Sequence, residues 1–310
     1  MKHGDILRPI ALALACAGLA LTASPSSADD RGPCPRKPMV VAHRGGALLF
    51  PENTFPAFDN AVRLGVDMLE FDMMMTADDQ LIITHDGSVN PTFCTAPQGS
   101  GVAAGPVRAL TLAELHRFDC GAKHRAIYPT QQAVPGTPMP TLDAFLARYK
   151  GGTHRLFGET KMPGANEGEV DPEAFVKAVD AAVRKHGLED RFILQSFDWR
   201  TIDAMHRINP RIRTCLLGVW RQQTDFLELA RQHNATCMLL RLQDADAREV
   251  KRLHAAGVEV FSDVDDTAAG WRAYLARGDD ALFTNDPLGL IGFLEDRAAL
   301  SDKRGRGRVS

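Results

Sequence analysis

Two carboxylates lie two residues apart in an apolar run, Leu69-Glu70-Phe71-Asp72-Met73. In a β-strand this spacing places Glu70 and Asp72 on one face and the apolar side chains on the other. Burying two like charges together is costly unless a metal ion, a cationic side chain or a bound proton compensates them. The run therefore predicts an ion-binding strand or, as the alternative, a strand whose acidic face meets water.

A second charged pair with the same spacing, Glu159 and Lys161, occurs further along the chain. Three carboxylates with no Cys-x-x-Cys spacing, which would indicate zinc, favour a hard divalent cation, Mg²⁺ or Ca²⁺. We therefore predict metal ligands at Glu70, Asp72 and Glu159. The positive charges of Arg44 and Lys161 suit a phosphate group, and we predict both as phosphate contacts.

His43 and His85 each follow a strand-like run, so they are candidates for proton transfer. Imidazole titrates near neutral pH, and one histidine can protonate a leaving alkoxide while the other takes a proton from the attacking hydroxyl or water. Which of the two is the acid stays open, and a purely structural role is the alternative. Four other histidines lie late on predicted helices and are interpreted as solvent-facing: His186, His206, His233 and His254.

Strand-like and helix-like runs alternate along most of the chain, which predicts an α/β fold with parallel βαβ units, most simply a TIM (β/α)8 barrel. In such a barrel, functional side chains gather at the carboxyl ends of the strands, where all of these candidates lie. The sequence has nine strand-like runs, whereas a (β/α)8 barrel has eight strands. The short link after Asp72 predicts either a hairpin or a strand beyond the sheet. An open doubly wound sheet is the alternative, but no glycine-rich dinucleotide loop follows the first run.

Residues 87–139 break this alternation, because glycine, proline, serine and threonine are frequent there. We predict a loop-rich inserted subdomain in this stretch. Five cysteines lie beyond residue 28, so in an oxidising compartment at least one stays free or pairs outside the set. Cys94 and Cys120 both lie in the insertion and are the favoured disulfide pair.

The N-terminal stretch has a basic beginning, an apolar run and small residues that end near Ala28. This pattern predicts a secretory signal peptide over residues 1–28 and an exported protein, periplasmic or extracellular. Lipidation at Cys16 is the weaker alternative. Residues 29–299 then form the barrel domain, and the basic stretch 300–310 is expected to be a disordered tail.

The 310 residues carry a net charge of −3, which gives no electrostatic reason to expect nucleic acid or an anionic membrane as a partner. The hydrophobic share of 45% is that of an ordinary globular protein. We expect a small-molecule substrate and no stable membrane association.

Several motifs, in order and approximate spacing, resemble those of the glycerophosphodiester phosphodiesterase family. They are Val41-Ala42-His43-Arg44-Gly45-Gly46, Pro51-Glu52-Asn53-Thr54, Leu69-Glu70-Phe71-Asp72, His85-Asp86, Glu159-Thr160-Lys161, Gln195-Ser196-Phe197 and Thr284-Asn285-Asp286-Pro287. The resemblance implies a TIM barrel with an inserted subdomain that hydrolyses glycerophosphodiesters to sn-glycerol 3-phosphate and an alcohol. It also implies an acid and base pair at His43 and His85, a divalent metal on the three carboxylates, and phosphate contacts at Arg44 and Lys161.

One motif departs from the family pattern. Where many members carry Trp-Thr-Val-Asn near the glycerol, this chain has Phe261-Ser262-Asp263-Val264-Asp265. Phe261 is expected to take the aromatic role at the substrate. A lysophospholipase D, a sphingomyelinase D-like hydrolase and a non-catalytic protein that binds phosphate esters are the alternatives.

Overall fold

The computed structural model describes Met1 and residues 37–96, 99, 101–164, 166–222 and 224–306. Apart from Met1, the predicted signal peptide therefore lies outside the described residues, together with the alternative lipidation site at Cys16. No helix among the described residues is both long enough and apolar enough to cross a membrane.

Nine strands and nine α-helices form the described part of the chain. The strands are β1 Met39–Ala42, β2 Met68–Met75, β3 Leu81–Ile83, β4 Arg155–Thr160, β5 Phe192–Ser196, β6 Arg213–Leu216, β7 Cys237–Leu240, β8 Glu259–Ser262 and β9 Ala281–Thr284. The helices are α1 Phe55–Leu64, α2 Leu112–Leu115, α3 Leu142–Tyr149, α4 Pro172–His186, α5 Trp199–Ile208, α6 Phe226–Gln232, α7 Ala247–Ala255, α8 Ala268–Arg277 and α9 Pro287–Arg306.

Eight of these strands are parallel and close into a barrel, because β1 pairs with both β2 and β9. The TIM barrel prediction is thus confirmed, and the open-sheet alternative is wrong. The surplus strand is β3, which runs antiparallel to β2 with Met73 opposite Ile83. The short link after β2 is therefore a hairpin, which leaves β3 outside the barrel and delivers His85 to its mouth.

Side chains along β2 alternate as the spacing predicts. Leu69, Phe71 and Met73 are buried in the layer between the strands and the surrounding helices. Met68 packs inside the barrel, and Glu70 and Asp72 follow it on the same face. Each of these two acids is only 1% exposed, so the alternative of a water-facing acidic strand is wrong.

Helix boundaries follow from local sequence signals. Thr54 is the N-cap of α1, and the helix ends at Gly65, whose φ of 75° suits a residue without a Cβ atom. The side chain of Asp171 caps α4 by accepting a hydrogen bond from the backbone of Ala174. Helix α9 continues to Arg306, so residues 300–306 are helical where a disordered tail is predicted. Residues 307–310 lie outside the described residues.

The insertion between β3 and α3 has its own small apolar core and the predicted disulfide between Cys94 and Cys120. Asp119 organises the chain around that disulfide by accepting hydrogen bonds from the backbone of Gly121, Gly136 and Thr137. The covalent link and these bonds replace the regular secondary structure that the segment mostly lacks.

Two side chains tie the insertion to the loop between β1 and α1. The buried amide of Gln131 donates to the carbonyl oxygens of Ala47 and Phe50, at 2.6 and 3.0 Å. Arg125 forms an ion pair with Glu52. Because this loop carries His43 and Arg44, the insertion supports the barrel mouth directly.

Candidate active site

A tight turn after β1 presents the first two candidate residues. His43–Gly45 form one turn of 3₁₀ helix in which Arg44 has a φ of 51°. A side chain at Gly45 would clash, since its Cβ atom would lie 2.9 Å from that of Ala57. This left-handed path aims the backbone N–H of Arg44 at Glu70 Oε2, 2.8 Å away.

The three predicted metal ligands lie together at the carboxyl ends of β2 and β4. Asp72 is in register with Glu159 on the neighbouring strand. One ligand atom from each of Glu70, Asp72 and Glu159 lies within 4.8 Å of the other two, and all three residues are buried. We refer to them as the carboxylate triad.

Each member of the triad has different partners. Among the described residues, Glu70 accepts hydrogen bonds from two neutral donors, the Arg44 backbone and the Gln195 amide, both at 2.8 Å. Asp72 accepts from the Asn53 amide at 2.8 Å and lies 3.3 Å from the Lys161 ammonium. Glu159 also lies 2.8 Å from that ammonium. The triad therefore carries more negative charge than its direct partners neutralise.

The pKa values of the three carboxyl groups reflect this excess of negative charge. Burial raises the pKa of Glu70 well above its usual range, with the charge of Asp72 as the next cause. Burial likewise raises the pKa of Glu159 to about 7. Burial also acts to raise the pKa of Asp72, but Lys161 and Arg44 outweigh it and lower that pKa. Without a further cation, the three groups cannot all ionise easily.

The donor set therefore fits a hard divalent cation. Carboxylate oxygens are the ligands that Mg²⁺ and Ca²⁺ prefer, and a bound cation would supply the positive charge that the triad as a whole lacks. Two strands fix all three groups close together before any ion binds. The triad could thus hold a metal ion, with the rest of its coordination left to water or substrate.

The two predicted phosphate contacts border the triad. Lys161 follows β4 and bridges Asp72 and Glu159. Arg44 Nη1 lies 2.8 Å from the buried carboxylate of Glu52, and its Nε is 3.5 Å from Asp72. These acids raise the pKa of both cations against the opposing effect of burial. Both therefore stay charged at neutral pH.

His43 is oriented by a chain of hydrogen bonds. Its Nδ1 lies 2.8 Å from Asn285 Oδ1, and the Asn285 amide donates to Asp266 at 2.9 Å. Since the amide nitrogen faces a carboxylate, the amide oxygen faces His43 and accepts a proton from Nδ1. Burial, with Arg44 as the next cause, lowers the pKa of His43 to about 3. At neutral pH its Nε2 therefore carries a free lone pair.

His85 is held in a comparable way by a different partner. Its Nδ1 lies 2.8 Å from Asp86 Oδ1, and Asp86 also accepts from the Asn90 amide at 2.6 Å. This contact lowers the pKa of Asp86 to about 2, so the carboxylate is ionised and accepts the Nδ1 proton. Nε2 is again the ring nitrogen that is available for proton transfer.

The structure buries Phe261 inside the barrel, which corrects the expectation of an aromatic substrate contact there. Phe261 is 0% exposed and packs edge-on against Phe157, with the ring centroids 5.5 Å apart, inside the barrel. Strand β8 turns its side chain inward below the mouth. The ring helps to fill the barrel interior and is not exposed at the mouth.

Four polar residues that complete the site were not predicted as site residues: Glu52, Asn53, Gln195 and Asn285. Gln195 lies at the end of β5 and Asn285 directly after β9, so the strand-end rule could have found both. Asn53, Gln195 and Asn285 carry neutral amides, so a search for buried charges that need compensation does not identify them. Asn53 reaches Asp72 because it adopts a φ of 56°, a conformation that asparagine tolerates better than most residues.

A closed parallel barrel with two oriented histidines, three buried carboxylates and two cations at its mouth defines an enzyme that acts on phosphate esters. The family model for the glycerophosphoryl diester phosphodiesterase family matches residues 43–288, and the chain belongs to that family.

Similar proteins agree with this assignment. A glycerophosphodiester phosphodiesterase from Bacillus subtilis (strain 168) is 27% identical over 296 residues, which cover 93% of this chain and 97% of that protein. A proposed glycerophosphoryl diester phosphodiesterase from Silicibacter pomeroyi DSS-3 has a crystal structure with a TM-score of 0.77 and 26% identity, covering 84% of this chain and 94% of that one. A phosphodiesterase from Oleispira antarctica, solved with its product sn-glycerol-3-phosphate, has a TM-score of 0.67 and 21% identity, covering 83% and 97% of the two chains.

Proposed function

We propose that this phosphodiesterase hydrolyses glycerophosphodiesters to sn-glycerol 3-phosphate and an alcohol, with a divalent cation, Mg²⁺ or Ca²⁺, on the carboxylate triad. The observation that carries the proposal is the buried triad, with its ligand atoms within 4.8 Å of one another, bordered by Arg44 and Lys161. The substrate class is supported by the names of the similar proteins and by the product bound to the Oleispira antarctica phosphodiesterase.

Glu70, Asp72 and Glu159 would hold the cation, which when bound supplies Lewis-acid stabilisation of the negative charge that develops on the phosphoryl oxygens. Lys161 and Arg44 bind the same phosphate as a point charge and as a planar donor. Glu52 keeps the Arg44 side chain in place while the backbone of Arg44 fixes Glu70. The chain's own cations therefore position the diester for attack.

His43 is the general base in this proposal and His85 is the general acid. The low pKa of His43 keeps its Nε2 free to take the proton from the attacking hydroxyl or water. The Nδ1–H group of His85 donates a hydrogen bond to Asp86. Its Nε2, protonated in this role, transfers a proton to the departing alkoxide. Each transfer contributes about 10²- to 10⁴-fold to the rate.

A coupled assay for glycerol 3-phosphate tests the proposal. The purified protein is incubated with glycerophosphocholine and glycerophosphoethanolamine in the presence of Mg²⁺, Ca²⁺ or a chelator, with lysophosphatidylcholine as a competing substrate class. We expect release of glycerol 3-phosphate that the chelator abolishes and one cation restores. No release under any of these conditions, or full activity with chelator, contradicts the proposal. Glu173→Gln, which removes a half-exposed carboxylate on α4, serves as the control variant.

We further propose that the protein is exported to the periplasm or beyond the cell. The proposal is supported by the signal-peptide pattern of residues 1–28 and by the Cys94 to Cys120 disulfide, a bond that persists in oxidising compartments. Expression of the full chain followed by fractionation and N-terminal sequencing tests it. We expect a processed form that begins near Asp29 outside the cytoplasm, and an unprocessed cytoplasmic product contradicts export.

A further inference from the structure

A cavity of about 520 Å³ opens beside the carboxylate triad at the barrel mouth. Glu159 and Lys161 form one side, so the cavity adjoins the expected position of the phosphate. Its other walls come from segments that follow β5 and β6, among them Phe197 and Arg221. A group esterified to a phosphate at Lys161 has room to extend into this space.

Phe197 is the aromatic wall of the cavity, and it is 40% exposed. The Lys161 ammonium lies 5.8 Å from the centre of its ring, and the Arg221 guanidinium lies 5.0 Å from it. The ring therefore already has two cations as neighbours. A third cation, such as a quaternary ammonium group, gains little there because the two existing charges repel it.

Arg221 differs from the other charged groups that line the cavity. Asp198 is paired with Arg200 at 2.5 Å, and Asp203 is paired with His233 at 2.8 Å. Within the described part of the chain, the Arg221 side chain makes no hydrogen bond or ion pair, and its guanidinium stacks on the Phe197 ring. The cavity thus contains one positive charge without an acidic partner.

The backbone conformation places Arg221 beside the Phe197 ring. Gly218 has a φ of 73° and precedes the 3₁₀ turn Val219–Arg221. A Cβ atom at Gly218 would lie only 2.8 Å from Cδ1 of Phe197, so glycine allows the turn to approach the ring closely. The turn therefore holds the backbone at Arg221 close to the Phe197 ring, on which the Arg221 side chain stacks.

We propose that this cavity is the subsite for the alcohol part of the diester and that Arg221 favours alcohols that carry an anionic group such as a carboxylate. The inference rests on the proposed function, because it takes glycerol phosphate as the part of the substrate that all reactions share. Arg221 forms an ion pair with the anionic group, while Phe197 and Lys161 contribute the adjoining wall.

Two substrates that differ by one carboxylate test the inference: glycerophosphoserine and glycerophosphoethanolamine. In Arg221→Gln we expect kcat/KM for glycerophosphoserine to fall about fivefold, mainly through KM, while the value for glycerophosphoethanolamine changes less than twofold. Arg221→Lys keeps the charge and should retain most of the preference. Arg248→Gln removes an exposed arginine from α7 and controls for the change in net charge.

An equal loss for both substrates in Arg221→Gln would place Arg221 on the shared glycerol phosphate and overturn the inference. Unchanged kinetics for both substrates would overturn it as well. Inactivity of the wild-type protein toward both substrates would instead refute the proposed function, and the inference with it. The wild-type measurement therefore separates the two kinds of failure.

Discussion

At the scale of single residues, the hydrogen-bond partner at Nδ1 sets the orientation of each of the two histidines. Asn285 accepts from His43 and is itself fixed by Asp266, whereas Asp86 accepts directly from His85. Both arrangements leave Nε2 as the nitrogen available for the proposed proton transfer. His43 has a neutral amide at Nδ1, whereas His85 has a carboxylate there. This asymmetry agrees with the proposed roles of His43 as base and His85 as acid.

Removing either imidazole should remove turnover without removing the fold. We expect His43→Ala and His85→Ala each to lower kcat by about 10²- to 10⁴-fold, because one proton transfer is lost. Glycerol 3-phosphate release measures kcat, and circular dichroism with thermal unfolding checks the fold. His116→Ala, which removes an exposed histidine of the insertion, is the control. Near wild-type kcat in either site variant would refute its proposed role.

The low pKa of His43 also predicts how stability depends on pH. In the unfolded chain a histidine titrates near pH 6.5, whereas in the native state the pKa of His43 is about 3. Between these values the unfolded chain binds the additional proton, so the native state loses stability as pH falls below about 6.5. His43→Gln removes this contribution.

Denaturant unfolding at pH 7 and pH 5 measures this effect. The loss of unfolding free energy between the two pH values should be about 1 to 2 kcal/mol smaller in His43→Gln than in the wild-type protein. His116→Gln provides the comparison for an exposed histidine. Equal losses in wild type and His43→Gln would show that His43 is not held neutral.

At the scale of secondary structure, periodicity was enough to place the charged groups. The two-residue spacing of Glu70 and Asp72, and of Glu159 and Lys161, predicted which side chains share a face, and the structure brings them together. The family resemblance suggested an aromatic substrate contact at Phe261, but the period of a strand does not show how deep in the barrel a residue lies. The composition of the insertion predicts a loop-rich segment. Its contacts with Ala47 and Glu52 arise only from the tertiary structure, so the sequence pattern does not predict them.

The insertion should lose order when its disulfide is removed. Cys94→Ser with Cys120→Ser opens a link between residues 26 positions apart, for which a loss of about 3 kcal/mol is expected in the stability of that segment. Because Arg125 and Gln131 support the loop of Arg44, we also expect a higher KM. Limited proteolysis locates the loosened segment, and KM follows from the product assay.

Cys215→Ser provides a contrast, since it changes a free buried cysteine inside the barrel and leaves the insertion linked. It should lower global stability without making the insertion more sensitive to protease. If the double serine variant resists protease as well as the wild-type protein does, the tertiary contacts of the insertion hold it without the disulfide.

At the scale of the whole molecule, the triad exists only when β2 and β4 pair in the folded barrel. Its members come from β2 and β4, which are far apart in the chain and become neighbours by parallel pairing. A cation held by the triad therefore binds the native state and not the unfolded chain, and it stabilises the entire barrel. Binding should then be measurable as a change in thermal stability without any substrate.

A cation at about a hundred times its Kd should raise the free energy of unfolding by about 2.7 kcal/mol and Tm by roughly 5 °C. Thermal unfolding of chelator-treated protein, titrated separately with Mg²⁺ and Ca²⁺, measures this and identifies the preferred ion. Glu159→Gln should lose the response because one ligand charge is gone, whereas Glu173→Gln, which removes a half-exposed acid on α4, should keep it. If Tm rises equally in both variants, the ion binds elsewhere. If neither ion raises the Tm of the wild-type protein, Lys161 and bound protons alone compensate the triad.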